Sequence, residues 1–298
     1  MKLQGVLPVL EVPFTPDDAV DPASFAAIAR HNFELGVNGV MFPAFASEYY
    51  KLTEAERGRL SDALIEVAAD FPEAGVIASV PEHATAVAVP AAVRLVQRGA
   101  RAINILPPSL AGPPAGAVLA HCRAILRAVA PTPVIVQYAP LLTGAAWTPA
   151  MFAELRAEFP NLAAVKVEST PPGALIRALR NLDDPIPALV GYAGQQMVDA
   201  WRRGAVGVQP GCSFTELYLR VWQLLEAGRE PEAVQLHSRL LPWVSYWMQS
   251  MELIIAAEKR ISWRRGLIAT PRCRQPAWTL DEVEVEQIEA FLTAFDLG

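Results

Sequence analysis

Eight short apolar stretches rich in Val, Ile, Leu and Ala recur along the chain, and they limit its possible folds more than any other feature. They cover approximately residues 6–12, 38–42, 75–80, 101–106, 133–138, 162–167, 187–191 and 205–209. Amphipathic segments lie between them and begin with helix-starting residues, as at Asp21-Pro22, Thr53 and Thr148-Pro149. Strands without polar alternation are covered on both faces, as in a parallel sheet. Eight such strand–helix units predict an α/β fold, a closed (β/α)₈ TIM barrel.

The main alternative is a doubly wound open sheet, but no GxGxxG or P-loop pattern follows any of the strands. After about residue 213 the strand pattern ends, and helical patterns continue to Phe295 without a Ser- or Gly-rich linker. We therefore expect the barrel to span residues 1–212. Residues 213–298 are expected to form the last barrel helix and a C-terminal helical extension packed on the barrel.

Composition and charge narrow the range of partners. Hydrophobic residues make up 52% and charged residues 19% of the chain, without an apolar run long enough to span a membrane. The net charge is −6 and the one basic cluster is short, which argues against nucleic acid as a partner and favours a small molecule. The three cysteines lack CxxC spacing, and prolines interrupt the apolar N-terminal run. These features predict a cytoplasmic protein.

The sixth apolar stretch contains a lysine flanked by apolar neighbours. Because side chains alternate along a strand, Lys166 and Glu168 share one face, and Val165 and Val167 share the other. The apolar face belongs under the helices, so Lys166 is expected to point into the barrel, where the neutral, nucleophilic amine is favoured over the ammonium ion. This strand by itself leaves two interpretations open, a nucleophile for ketones or a buried Lys–Glu ion pair that stabilises the interior.

Polar residues also follow the second and fifth apolar stretches. Ser47 and Glu48 interrupt a turn of small residues, and the backbone N–H groups of that turn are candidates for binding a carboxylate. Gln137 lies near the end of the fifth strand. Its neighbour Tyr138 points to the opposite face, because a shift of one residue in a strand reverses the side chain. Active sites of barrels form at the C-terminal ends of the strands, where these residues lie.

The order of five segments on successive strands resembles the dihydrodipicolinate synthase / N-acetylneuraminate lyase superfamily. The segments are Val9–Thr15, the turn before Glu48, the stretch with Pro140, Thr143 and Gly144, then Lys166–Glu168, and Gly191–Gly194. The resemblance covers essentially the whole chain, including the C-terminal helices. It implies a class I lyase that forms a Schiff base with a 2-keto acid, with Lys166 at the position of the imine-forming lysine.

The chain departs from the synthases of this superfamily at three positions. Gln137 stands where the proton-relay tyrosine is found, and Leu142 stands where the synthases have an arginine for their second substrate. The stretch Pro107–Leu110 corresponds to the region of a tyrosine that the synthases contribute to a neighbouring subunit. The resemblance therefore argues against a role in lysine synthesis.

The substitution pattern looks instead like that of 2-keto-3-deoxy-L-arabonate dehydratase-like proteins. These share a Ser-Glu turn, a Val-Gln-x-Ala-Pro segment and a Lys-x-Glu strand, here Ser47–Glu48, Val136–Pro140 and Lys166–Glu168. Tyr138 differs, since those relatives carry an acidic residue there, and this leaves the identity of the sugar acid open.

We therefore expect dehydration of a 2-keto-3-deoxy sugar acid, with Lys166 forming the imine, Glu168 transferring protons and Gln137 hydrogen-bonding the substrate. The expected substrate-binding residues are Ser47, Glu48, Tyr138, Gly191 and Gly194. A pyruvate-releasing or pyruvate-condensing aldolase and a non-catalytic metabolite-binding barrel are the alternatives. No cofactor is expected, and no metal, because the histidines and cysteines lack ligand spacing. The resemblance also implies a homo-oligomer, a dimer or a tetramer.

Overall fold

A computed structural model of the protein describes residues 1–108, 112–144 and 146–297, with the backbone alone at positions 142 and 143. Two positions discussed above, Ser109 and Leu110, therefore lie outside the described residues, as does the side chain of Leu142.

Eight parallel strands form one sheet in the order β1-β8-β7-β6-β5-β4-β3-β2. A parallel bridge between Val9 and Met41 connects the two ends of this order, so the sheet closes on itself. The predicted (β/α)₈ barrel is confirmed. The strands are β1 (Gly5–Val6), β2 (Val40–Phe42), β3 (Val76–Val80), β4 (Ala102–Ile105), β5 (Val134–Tyr138), β6 (Leu162–Val167), β7 (Ala188–Val190) and β8 (Gly207–Val208).

Twelve helices lie within the described residues, and α9 packs against β1 as the helix that follows β8. The helices α10 to α12 form the C-terminal extension. The helices are α1 (Pro22–Glu34), α2 (Glu54–Ala68), α3 (Thr85–Arg98), α4 (Ala115–Val129), α5 (Pro140–Thr143), α6 (Pro149–Glu158), α7 (Gly173–Arg180), α8 (Met197–Arg202), α9 (Thr215–Glu226), α10 (Glu230–Trp247), α11 (Met251–Arg264) and α12 (Glu282–Ala294).

Helix starts follow the capping residues in the sequence. The Asp21 carboxylate accepts hydrogen bonds from the backbone of the first turn of α1, ahead of a proline at the first helical position. Thr53 and Glu56 cap α2 reciprocally. No helix in the described part of the chain is long and apolar enough to cross a membrane.

The apolar core has two layers, one inside the barrel and one between the sheet and the helices. Ala164 of β6 belongs to the inner layer, whereas Val165 and Val167 belong to the outer layer. Alternation on this strand is therefore as predicted, and Lys166 follows Ala164 on the inner face. In the extension, Trp247 and Trp243 pack against Phe291 of the same chain. These rings thus stabilise the extension, and the homo-oligomer remains a prediction.

Candidate active site

A cavity lies at the C-terminal ends of the strands, beneath helices α10 and α11. The cavity has a volume of about 60 Å³, which is room for a few water molecules or a small organic acid. Its polar lining side chains are Gln137, Lys166, Glu168, Tyr192, Gln209 and Glu258. A larger surface groove of about 740 Å³ borders α2 and α3, but none of the predicted site residues lines it.

A line of hydrogen bonds crosses four neighbouring strands and ends at Lys166. Asn104 of β4 donates to the Ser79 hydroxyl on β3 and to Gln137 Oε1 on β5, both at 3.1 Å. Gln137 Nε2 in turn donates to Glu168 Oε2 at 2.6 Å. The second oxygen of Glu168 lies 3.3 Å from Lys166 Nζ. These side chains meet because they lie on the inner face of neighbouring parallel strands, with Gln137 paired to Lys166 in the register.

Gly191, which follows β7, provides the space that Glu168 occupies. A β-carbon at position 191 would lie 2.7 Å from the carboxyl carbon of Glu168, closer than non-bonded carbons approach. Lys166, Glu168, Gln137 and Gly191 are thus brought together in the structure. Gly194 lies farther from the cavity: it has a positive φ of 70°, and its carbonyl accepts a hydrogen bond from His237 Nε2 at 2.9 Å. Gly194 therefore supports the loop and is not among the lining residues.

The turn after β2 differs from the expectation that Ser47 and Glu48 bind substrate. The Ser47 hydroxyl accepts a 3.1 Å hydrogen bond from the Ala44 N–H and donates to the Leu10 carbonyl, so it closes the turn and is fully buried. The Glu48 carboxylate binds the ammonium groups of Lys51 and Lys259. Neither side chain lines the cavity, and local hydrogen bonds and ion pairs already use their polar atoms.

The cavity is lined in this region by Ala44, Phe45 and Ala46 instead. Phe45 and Ala46 begin a 3₁₀ turn (Phe45–Ser47), and their N–H groups precede its first hydrogen bond, Ser47 N to Ala44 O at 3.0 Å. N–H groups at such a position have no partner within the turn. The backbone at residues 45 and 46 is therefore the part of this turn that can accept a carboxylate.

Tyr138 also lies outside the cavity, contrary to its expected role in substrate binding. Its hydroxyl accepts a hydrogen bond from the Trp147 N–H at 3.1 Å, and its ring packs against Trp147 and Phe152. Period-two alternation turns Tyr138 towards α6, on the opposite face from Gln137. The parity of Tyr138 in the strand predicts this placement.

Three polar lining residues were missed in the sequence: Tyr192, Gln209 and Glu258. Tyr192 is part of the quoted Gly191–Gly194 segment and has a φ of 49°, a left-handed conformation that is uncommon for a bulky residue. Gln209 is a polar residue directly after β8, and its position at a strand end could have identified it. Glu258 comes from the helical extension, where no local pattern distinguishes it.

Glu258 lies beside a second buried carboxyl group, that of Glu11. A carboxyl oxygen of Glu11, a carboxyl oxygen of Glu258 and the Sγ atom of Cys212 all lie within 4.8 Å of one another. Burial raises the pKa of Glu11 to about 7 and that of Glu258 to about 8. The charge of Glu11 also raises the pKa of Glu258, and the charge of Glu48 raises that of Glu11. Burial also raises the pKa of the Cys212 thiol well above its usual value. The distances would allow a metal ion, but protonated groups are poor metal ligands.

Comparison with known proteins places this geometry in a family. The model of the dihydrodipicolinate synthetase family matches residues 2–295. The chain is 26% identical over 299 residues to a 4-hydroxy-tetrahydrodipicolinate synthase of Thermosynechococcus vestitus, covering 98% of this chain and 97% of that protein. It is 25% identical over 281 residues to an L-2-keto-3-deoxyarabonate dehydratase of Azospirillum brasilense, covering 92% and 88%.

The fold comparison agrees. A crystal structure of dihydrodipicolinate synthase from Rhodopseudomonas palustris superimposes with a TM-score of 0.89 at 24% identity, covering 97% of each chain. This likeness supports the barrel with its C-terminal helices, and the family match covers nearly the whole chain. The protein therefore belongs to the dihydrodipicolinate synthetase family.

Proposed function

We propose that the protein is a lyase that forms a Schiff base between Lys166 and a 2-keto acid and removes water from a 2-keto-3-deoxy sugar acid. The observation that carries the proposal is the position of Lys166. Of the four lysines, all within the described ranges, Lys166 alone lines the cavity, and its amine lies 3.3 Å from the Glu168 carboxylate. A buried amine next to a proton acceptor is suited to attack a ketone.

In the proposed reaction the amine form of Lys166 attacks the C2 carbonyl, and loss of water gives a protonated imine. The imine draws electrons from C3, so a carboxylate can remove a C3 proton. Glu168 is within reach of that proton, and the Gln137 amide fixes the orientation of its carboxylate. The substrate carboxylate binds the N–H groups of Phe45 and Ala46.

Dehydration is preferred to the other reactions of the family for two reasons in the sequence. Gln137 replaces the relay tyrosine, and Leu142 replaces the arginine that holds a second substrate in the synthases, as the resemblance implies. The similarity to an L-2-keto-3-deoxyarabonate dehydratase supports the same choice. An aldolase activity remains the second candidate, since several relatives of similar identity are named as synthases. A non-catalytic barrel would not need a lysine at this position.

Borohydride trapping tests the imine. Wild type incubated with pyruvate and borohydride should gain the mass of one reduced adduct on the peptide that contains Lys166. Lys166→Ala should gain none, whereas the control Lys2→Ala should label as wild type does. Labelling of Lys51 or Lys259, or no adduct in wild type, would contradict the proposal. Product analysis with 2-keto-3-deoxy sugar acids then separates dehydration, which gives a semialdehyde, from cleavage, which releases pyruvate.

A further inference from the structure

The side of the cavity formed by β8 carries a carboxyl group that the mechanism above does not use. Gln209 lines the cavity after β8, and Gly211, two residues later, has the same strand parity. Glu258 of α11 occupies the space in front of Gly211: a β-carbon on Gly211 would overlap both of its carboxyl oxygens. The Glu258 carboxyl group therefore lies where an inward side chain of residue 211 would be. It lines the same cavity as Lys166.

Glu11, which follows β1, approaches the Glu258 carboxyl group from the barrel interior. Leu7 and Val9 belong to the inner layer of the barrel, and Glu11 continues the same alternation two residues after Val9. Its side chain is 3% exposed. The Ser262 side chain of α11 interacts with its carboxyl group and lowers its pKa, an effect that burial outweighs. Among the described residues, neither Glu11 nor Glu258 forms an ion pair with a lysine or an arginine. Glu48 and Glu168 differ in this respect, because each pairs with at least one lysine.

Two buried carboxyl groups this close cannot both be ionised at moderate cost, so the pair holds a proton at neutral pH. The raised pKa values of Glu11 and Glu258 agree with this. Lys259 lowers and Glu48 raises the pKa of Glu11. Hydrogen bonds from Ser213 and from the Cys212 backbone lower the pKa of Glu258, but burial and Glu11 outweigh them. The charge of Glu258 in turn raises the pKa of Cys212 and of Tyr218. The pair therefore differs from Glu168, whose oxygens face the Lys166 amine and the Gln137 amide donor.

Gln209 adds an acceptor on the same side, since its Oε1 is buried without a described hydrogen-bond partner. A hydroxyl group both donates and accepts one or more hydrogen bonds. The side of the cavity formed by Gln209 and the protonated pair thus has the donor and acceptor chemistry that a substrate hydroxyl needs.

We propose that Glu258 is a second catalytic carboxyl group, which donates a proton to the hydroxyl leaving C4 of the substrate, and that Glu11 is a positioning residue for this proton. The proposal rests on the imine chemistry proposed for Lys166. It assigns the base to Glu168 and the acid to Glu258, on two sides of one cavity.

The elimination balances with these two groups. Glu168 takes the C3 proton, the C3–H electron pair forms a C2–C3 double bond, and the imine π pair moves to nitrogen, which gives an enamine. The nitrogen pair then re-forms the imine, and the C2–C3 π pair forms the C3–C4 double bond. The C4–O bond breaks, its electron pair stays with the oxygen, and the oxygen receives the Glu258 proton and leaves as water. Glu168 then carries one proton and Glu258 has lost one, so a proton transfer through solvent restores both groups. No oxidant, reductant or cofactor is required.

The same arrangement favours dehydration over cleavage of the C3–C4 bond. Cleavage requires a base that removes the proton of the C4 hydroxyl, whereas a protonated carboxyl group supplies a proton there. The proposal therefore concerns substrates with a hydroxyl group at C4 of a 2-keto acid.

Two reactions of the same enzyme separate this role from imine formation. The first is exchange of the pyruvate methyl protons in deuterated water, which requires both Lys166 and Glu168. Borohydride trapping, which requires Lys166 alone of these two, accompanies it. The second is release of water from 2-keto-3-deoxy-L-arabonate. Glu258→Gln should leave the first within about twofold of wild type and slow the second by about 10²- to 10⁴-fold, the usual contribution of a general acid.

A substrate with a leaving group that needs no proton gives a sharper measurement. Wild type and Glu258→Gln should release chloride from 4-chloro-2-oxobutanoate at equal rates, a result that mere structural damage would not produce. Glu11→Gln should retain water release but shift the alkaline limb of its pH profile to lower pH, because removal of the Glu11 charge lowers the pKa of Glu258. Glu284→Gln, which changes a buried glutamate of α12, is the matched control.

The outcomes are distinguishable. Absence of trapping and exchange in wild type would contradict the proposed function of Lys166. Normal trapping in wild type with unchanged water release in Glu258→Gln would overturn the role of Glu258 alone. Equal losses of exchange, chloride release and water release in Glu258→Gln would assign Glu258 a structural role. Wild type that only cleaves the C3–C4 bond would overturn the proposal. A requirement of wild type for a divalent metal ion would overturn it too.

Discussion

The side-chain amide of Gln137 donates a 2.6 Å hydrogen bond to Glu168, whose other carboxyl oxygen lies 3.3 Å from the Lys166 amine. The amide thus holds the carboxylate between two donors and fixes which oxygen faces the lysine. Gln137 cannot itself release a proton at neutral pH. Its position beside Glu168 indicates that it orients the carboxylate, while Glu168 carries the charge that proton transfer needs.

Replacement of Glu168 by Gln should therefore lower turnover by about 10²- to 10⁴-fold, because the amide cannot accept a proton from C3. Trapping of pyruvate at Lys166 should persist. Tyr138→Phe is the matched comparison, since the Tyr138 hydroxyl contacts the backbone of Trp147 and faces α6. Steady-state kinetics and borohydride trapping of both variants provide the measurement. A large loss in Tyr138→Phe with normal turnover in Glu168→Gln would reverse the assignment.

Gly191→Ala should impair the same step without changing any titratable group. The added methyl group would lie 2.7 Å from the carboxyl carbon of Glu168, so this side chain must move away from Lys166. We expect turnover to fall by at least 10-fold, in line with the sensitivity of catalysis to small displacements. Gly116→Ala in α4 is the control, because a β-carbon there meets no atom within 4 Å. Normal turnover in Gly191→Ala would show that the position of Glu168 is not critical.

The barrel and the inward placement of Lys166 and Glu168 could be predicted because both depend on local periodicity. Repeated apolar stretches indicate covered parallel strands, and alternation decides which face each residue occupies. Tyr138 follows the same alternation but has the opposite parity. Its parity in the strand points it towards the helices, where the structure places it.

The rest of the site depends on contacts between residues that are distant in the sequence. Ser47 resembled a substrate-binding hydroxyl, but its turn uses that hydroxyl internally, a competition that the sequence pattern does not reveal. Glu258 reaches the cavity only because α11 packs over the end of β8, beside Gly211. No periodicity within α11 predicts that contact.

The protein is not expected to condense pyruvate with aspartate semialdehyde. The resemblance to the synthases implies that Leu142 stands at the position of the arginine that binds the carboxylate of their second substrate. An apolar side chain offers that charge no hydrogen-bond donor, and the loss costs several kcal/mol, roughly 1.5–3 for each hydrogen bond to a charged group. Assay of the condensation product checks this expectation. Turnover at rates typical of enzymes would identify the protein as a synthase after all.

The buried pair of Glu48 and Lys259 should matter for stability and not for imine formation. Both side chains are fully buried, and Glu48 also binds Lys51 at 3.0 Å. Lys259→Met leaves a buried carboxylate with one partner fewer and should lower the free energy of unfolding by about 3–5 kcal/mol. Urea unfolding provides the measurement, and the double variant Glu48→Leu/Lys259→Met should recover part of the loss. Loss of pyruvate trapping in folded Lys259→Met would contradict a purely structural role.

Stability should also depend on pH through the second buried pair, Glu11 and Glu258. Burial raises the pKa of Glu11 from 4.5 to about 7 and that of Glu258 from 4.5 to about 8. Between pH 4.5 and about 8 the folded state holds more protons than the unfolded state. The free energy of unfolding therefore falls as the pH rises through this range. This contribution is fully present below pH 4.5 and is lost by about pH 8.

Comparison with a variant isolates this effect from other titrating groups. Buried histidines with lowered pKa values act in the opposite direction below their ordinary value of 6.5, namely His31, His121 and His237. They are present in both proteins, so they cancel in the difference between wild type and Glu11→Gln/Glu258→Gln. Urea unfolding at several pH values from 4.5 to about 8 should show that wild type loses stability relative to the double variant as the pH rises. A difference that is constant with pH would mean that the two carboxyl groups titrate normally, because only groups with a pKa changed by folding contribute to the slope.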